Sequence, residues 1–301
     1  MVFGFRTMPA ATAPNRPVIG ILWMLATGLC FICMTAGVKH VGADVPAAQS
    51  AFLRFALGLV FLLPMVGPLF RLRLSRQGWS LTALRGVVHT GAVILWFFAM
   101  TQIPLAEVTA MNYLNPIYVT LGAALFLGER LALRRVAAIG VALVGAMVIL
   151  RPGFREISAG HVAMLGTAIG LAGSYLVAKR LSADVGAALV VALLSVSVTV
   201  LLAPFAWAVW VPVPGWQLFW MFLVAGAATA AHYAMTRAFA VAPVTVTQPV
   251  TFLQLLWATL LGTLVFNEPM DGWVILGGAI IMASVLFITW REATARRREP
   301  A

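Results

Sequence analysis

Apolar runs of about 18 to 24 residues, the length that crosses a bilayer as a helix, follow one another along the chain with short polar punctuation between them. They read as ten membrane-spanning helices: residues 17–38, 47–68, 80–101, 105–127, 134–151, 158–180, 185–207, 217–241, 244–266 and 270–290. Prolines sit at many of the boundaries (Pro17, Pro46, Pro104, Pro152, Pro243 and Pro269), where a first helical turn loses nothing by lacking an N–H. The shortest run, 134–151, is flanked by Arg134 and Arg151, whose long stems can reach the interface. Residues 211–216, VPVPGW, form an interfacial turn with a Trp anchor.

The pattern repeats. Residues 112–130, NYLNPIYVTLGAALFLGER, have a partner in residues 251–269, TFLQLLWATLLGTLVFNEP; aligned on Glu129 and Glu268, an offset of 139 sets Asn115 on Gln254. FFAMTQ from Phe97 and HYAMTR from His232 echo each other at an offset of 135. The chain is thus expected to be a duplicated unit, residues 17–151 and 158–290, with five spans in each half. An odd number of spans makes the second half enter the membrane from the opposite side, so the predicted fold is all-α, two inverted five-helix repeats around a central cavity.

Composition agrees with the pattern: 62% of the 301 residues are hydrophobic and 10% charged, against about 25% charged in an ordinary soluble domain. A formal charge of +11 would suggest nucleic acid in a soluble protein. Here the bases lie between spans, and no nucleic-acid partner is expected. With the amino terminus inside, 16 of 20 Lys and Arg fall on the inner side; Lys39, Arg151 and Arg155 fall outside and Arg54 within the second span. The positive-inside rule then puts both termini in the cytoplasm and the protein in the cytoplasmic membrane. Residues 1–16 read as a disordered cytoplasmic tail and 291–301 as a basic one; the first span reads as a retained anchor. Cys30 and Cys33 lie within that span without histidines or a second pair at ligand spacing, so no metal site and no cofactor is expected.

Polar side chains at mid-membrane depth are the candidates for function. Counting to span centres selects His89, Asn112, Asn115, Tyr175, His232 and Gln254 as substrate contacts, with Trp96 and Tyr113 as aromatic walls. His89 and Trp96 stand at i and i+7, Asn112 and Asn115 at i and i+3, so each pair shares a helix face. Pro116 lacks the N–H that would return to the carbonyl of Asn112. The competing reading is that such amides and hydroxyls only hydrogen-bond neighbouring helices. All nine acidic residues are placed at or beyond span ends, which predicts an uncharged chamber and leaves any proton coupling to His89 or His232. Structural or gating roles are expected for Arg54, Pro116, Glu129 and Glu268. Arg54 either holds an outer gate or snorkels outward, and each glutamate should cap the helix that follows it. Gly166 with Gly170, Gly226 with Ala230 and Ala234, and Gly277-Gly278 mark close helix approaches.

LNPIYVTLGAALFLGE (114–129), FLQLLWATLLGTLVFNEP (252–269) and FLRFALG around Arg54 resemble the drug/metabolite transporter superfamily, in particular its EamA-type members with two five-helix halves. The resemblance covers about residues 17–290; Pro116, Gly128 and Glu129 match the family's helix 4 pattern, and Glu268 with Pro269 its counterpart, while Asn267 stands where glycine is common. It implies helices 1, 3, 4, 6, 8 and 9 around a cavity with 5 and 10 at the periphery. FLQLLWA also resembles the branch of aromatic amino-acid and paraquat exporters.

The resulting expectation is an alternating-access transporter, not an enzyme, exporting amino acids with aromatic and other neutral ones favoured. The alternative is another small metabolite, drug or nucleotide-sugar-like cargo on the same fold. A phosphate-bearing cargo would call for basic residues in the cavity, and by sequence only Arg54 qualifies. A membrane enzyme would need a reactive pair or metal cluster, and a passive channel would lack counter-flow. The internal duplication already supplies a symmetry that many small transporters gain by dimerising, so a monomer is compatible with the sequence.

Overall fold

The computed structural model describes residues 16–42, 44–127, 133–154, 156–181, 187–242, 247, 250–251 and 253–296, and these are helices joined by short turns. Glu129 lies outside the described residues, so the expectation for it has no counterpart here. Helix α1 spans Pro17–Val41 and ends at Gly42, whose φ of 83° few other residues would tolerate. Helix α2 (Ala47–Gly58), N-capped by Pro46, tightens around Pro64 into a 3₁₀ segment, Leu59–Met65, and resumes as α3 (Val66–Arg71). Helix α4 (Arg76–Gln102) opens with the Ser75 hydroxyl accepting from the Gly78 N–H at 3.1 Å. It stops at Ile103, held extended by the proline that follows.

The span expected at 105–127 is not one helix. Helix α5 (Leu105–Asn112) and helix α6 (Asn115–Leu127) are separated by a turn at Tyr113 and Leu114. The cause is Pro116: it returns no N–H to Asn112, and the backbone tightens to three-residue bonds, Tyr113 N to Ala110 O at 3.2 Å and Leu114 N to Met111 O at 3.0 Å. The remaining helices are α7 (Leu133–Leu150), α8 (Ala159–Leu181), α9 (Ala187–Ala208), α10 (Gly215–Val241), α11 (Leu253–Phe266) and α12 (Gly272–Arg296).

Six stretches among the described residues are long and apolar enough to cross a membrane: Val18–Val41, Ala47–Arg71, Arg76–Gln102, Ala159–Ala178, Leu189–Ala208 and Gly215–Met235. Three shorter apolar helices, Val136–Leu150, Leu253–Phe266 and Gly272–Ile288, accompany them. Val18, Leu22, Leu63, Val87, Val144 and Val200 are exposed. In water such a surface would aggregate; in a bilayer it is the lipid-facing coat. Inside, Met34, Phe97, Met100, Met111, Leu114, Ile149 and Met164 are fully buried in one continuous core.

The largest packing partners are α1 with α10, α4 with α8, and α7 with α12; α2 lies on α9 and α5 on α11. Small residues set how near these helices come. On α4 and α8, a Cβ at Gly170 would lie 2.8 Å from that of Ala92. On α7 and α12, a Cβ at Gly277 would lie 2.5 Å from the Gly145 carbonyl oxygen and 2.6 Å from Ile149 Cγ1. Backbone cannot swing aside as a side chain can. Gly277→Ala should therefore separate the pair and cost about 1–3 kcal/mol, read as earlier unfolding in detergent, with Gly140→Ala, which meets nothing within 4 Å, as the silent control.

Candidate functional site

Between α2, α4, α8 and α10 lies a set of polar side chains that the apolar helices enclose. Arg54 of α2 lies with its guanidinium 3.9 Å from the centre of the Phe55 ring. Phe55 in turn meets the His89 imidazole edge-on at 6.1 Å. His89 Nδ1 is 3.0 Å from the Ser174 hydroxyl of α8. One turn earlier on α4, Arg85 donates to Ser174 Oγ at 3.4 Å and to the Val190 carbonyl of α9 at 2.9 Å. His232 of α10 meets Phe31 edge-on at 5.3 Å and its Nδ1 is 2.7 Å from the Ala228 carbonyl. A carbonyl only accepts, so Nδ1 carries the hydrogen. Arg54 and Arg85 are each within electrostatic reach of both His89 and His232, and Tyr175 is within reach of Arg85.

Arg54 and His232 are half-buried and Tyr175 is 42% exposed, so each keeps accessible surface where a chamber between these helices would lie.

A second cluster surrounds the break between α5 and α6. Trp96 Nε1, Asn112 Oδ1 and Asn115 Oδ1 are buried with no hydrogen-bond partner. Each unsatisfied group of this kind costs about 1–3 kcal/mol, so their retention needs an explanation outside the protein's own bonds. Trp96 stands two turns along α4 from His89 on the same face, which connects the two clusters.

Other candidates have structural partners. Tyr113 is 8% exposed and donates from its hydroxyl to the Thr251 carbonyl at 3.0 Å, which ties two distant parts of the chain together. Gln254 lies against Gly28 of α1, where an added Cβ would be 3.1 Å from Gln254 Cγ. Glu268 caps a helix, but not the one that follows it. Its Oε2 accepts the Leu105 N–H at 2.9 Å, at the start of α5, and its carboxylate pairs with Lys39 at the end of α1. Lys39 Nζ also donates to the Ile103 carbonyl at 3.1 Å. The start of α12 is capped by Asp271, which takes the Trp273 N–H at 2.9 Å and pairs with Arg151.

One expectation is overturned. Arg85, counted with the inner loops, is 5% exposed and inside the fold, which puts a cation among the candidate side chains. Glu107 stands at a span end as expected, in the first turn of α5, but it is 4% exposed and paired with His161 Nε2. The Ser158 N–H donates to His161 Nδ1 at 3.1 Å, which leaves Nε2 as the nitrogen that donates to Glu107. The signal for Arg85 was available: it stands nine residues into α4, about 13 Å along the helix. Nothing in the local pattern singles out Glu107 or His161 as partners.

The EamA-like transporter family model matches residues 18–151 and 158–290. The chain is 32% identical to a riboflavin transporter of Vibrio cholerae over 95% of this chain and 97% of the relative. It is 29% identical to the pseudopaline exporter CntI of Pseudomonas aeruginosa (90% and 95%) and 23% identical to an S-adenosylmethionine uptake transporter of Rickettsia prowazekii (91% and 93%). A solved crystal structure superposes with a TM-score of 0.59 at 17% identity, covering 93% of this chain and 99% of that one, a likeness of fold alone.

Proposed function

We propose that this chain, which belongs to the EamA-like transporter family, is an alternating-access carrier of a small, flat, hydrogen-bonding metabolite, with flavins of the riboflavin type as the first cargo to test. The observation that carries the reading is the trio of buried, unpartnered polar atoms, Trp96 Nε1, Asn112 Oδ1 and Asn115 Oδ1, at a broken helix. Helix breaks at membrane depth are where carriers bind cargo. A ring system with amide-like edges can supply what these atoms lack, and Phe31, Phe55, His89, Tyr175 and His232 offer it faces and edges.

The amino-acid cargo expected from residues 252–258 gives way to this reading. None of the three relatives above is named for an amino acid, paraquat or an aromatic drug. We assign His89, Trp96, Asn112, Asn115, Tyr175, His232 and Gln254 to cargo contact, and Tyr113, Pro116 and Glu268 to positioning and gating.

Support for two inverted halves comes from the packing. The 139-residue offset maps Gly145 onto Ser284 and Ala138 onto Gly277. Gly145 faces Gly277, and Ser284 Oγ donates to the Ala138 carbonyl, so one contact becomes the other when the halves exchange. The exchange also turns α1 against α10 into α8 against α4, and both are close pairs. Rocking of such halves about the chamber would open it to one side at a time. The distribution of bases, 15 of 20 on one side with Arg85 set apart inside the fold, supports a cytoplasmic location for both termini.

Purified chain in vesicles preloaded with unlabelled riboflavin should accumulate labelled riboflavin faster than empty vesicles, saturably. A panel of neutral and aromatic amino acids should not. Counter-flow with the amino acids and none with any flavin would reverse the assignment. Trp96→Phe keeps the ring and removes the Nε1 donor, so it should weaken the cargo's apparent affinity by about 5- to 10-fold.

A further inference from the structure

The geometry points to an anion subsite in this chamber: Arg54 and Arg85 receive a carboxylate or phosphate carried by the cargo. The inference rests on the carrier reading above and adds a charge to the cargo it names.

Three observations converge. Arg54 is half-buried, its guanidinium rests on Phe55, and it has no hydrogen-bond or ion-pair partner among the described residues. Arg85 is held by Ser174 and Val190 at a fixed place one turn from His89, with two of its five N–H donors committed. Finally, no carboxylate among the described residues pairs with either guanidinium: Glu107 is paired with His161, Glu268 with Lys39 and Asp271 with Arg151, Asp44 and Glu156 are exposed, and Glu292 lies in the last turns of α12.

Two guanidinium groups without a carboxylate, inside a low-dielectric shell, make an electropositive chamber. A planar fork stacked on an aromatic face presents its N–H edge to a carboxylate or phosphate, which it can grip with two parallel bonds. The neighbouring imidazoles of His89 and His232 add donors or acceptors according to tautomer, but no negative charge. A cationic cargo would meet repulsion here. A neutral one would leave both arginines to water.

The test compares three flavins on the full chain in lipid nanodiscs, followed by quenching of flavin fluorescence: neutral riboflavin, flavin mononucleotide with a phosphate, and carboxymethylflavin with a carboxylate. The anionic flavins should bind at least about tenfold more tightly than riboflavin, as charge-assisted bonds do, and whichever of the two binds tighter identifies the group. Arg54→Gln should erase that preference, and Arg54→Lys should keep part of it. Equal affinities in the unmodified chain, or a preference that survives Arg54→Gln, would overturn the subsite.

A second measurement stands apart from flavins. Inorganic phosphate should raise the unfolding temperature relative to sodium chloride of matched ionic strength, and Arg54→Gln should abolish that rise. If no flavin binds, the cargo reading fails and this measurement alone decides the subsite; equal shifts in both proteins would reject it.

Discussion

Replacing Asn112 and Asn115 together by leucine should abolish transport, by at least about 100-fold, while the protein unfolds at the same temperature or a higher one. The two effects separate because the two carboxamide oxygens are buried without partners. Their removal from the resting protein relieves a cost of about 1–3 kcal/mol for each. The same removal deprives a cargo of two hydrogen-bonding groups beside the break between α5 and α6. Losing both at about 1.5 kcal/mol apiece gives roughly a 100-fold fall. Had the asparagines been glue between helices, the double variant would unfold earlier and lose transport only in proportion to the protein lost. Counter-flow per folded molecule, set beside the unfolding temperature, distinguishes the two. Unchanged transport would remove the helix break from the site.

Glu268→Ala should destabilise the fold by about 2–4 kcal/mol. That carboxylate satisfies the first N–H of α5 and neutralises Lys39, which also reaches the Ile103 carbonyl. Alanine leaves a lysine ammonium and a helix-terminal amide unanswered in a partly buried junction. Glu268→Gln keeps an acceptor for Leu105 but not the charge, and should fall between. The sharper measurement is a double-mutant cycle. Lys39→Met in the Glu268→Gln background should cost much less than Lys39→Met alone, because the second change no longer orphans a carboxylate. Additive costs would mean that the two side chains act independently.

Much of the fold was legible because the bilayer constrains the pattern. Pro17 opens a helix, while Pro46, Pro104 and Pro214 precede one as N-caps, as a residue with fixed φ and no N–H should. The proline at 116 was read for its missing bond but not for its larger effect, since whether a proline kinks a span or divides it depends on the neighbours that accept the loosened backbone. Candidates were chosen by depth, and depth says that a polar side chain needs a partner, not which one it finds. Tyr113 and Asn115 are two residues apart, yet the hydroxyl of one closes on Thr251 and the Oδ1 of the other has no partner.

The charged network was the least legible part. Lys39 and Glu268 are 229 positions apart, and Glu107 and His161 are 54 apart, so no local window holds both members of either pair. Arg85 misled in a different way. A rule that counts bases near span ends cannot distinguish an arginine at the rim from one a turn and a half further in. It was the partners Ser174 and Val190, on helices that follow much later in the chain, that fixed its position.

The contact of Gly145 with Gly277 also limits how the protein can move. Two backbones pressed together without intervening side chains cannot slide past each other, because each carbonyl would have to climb over the next residue. They can still pivot. A pair so joined works as a hinge pin, and any swing of one half against the other would leave α7 and α12 almost still while the far ends of α1, α4, α8 and α10 travel the longest arcs.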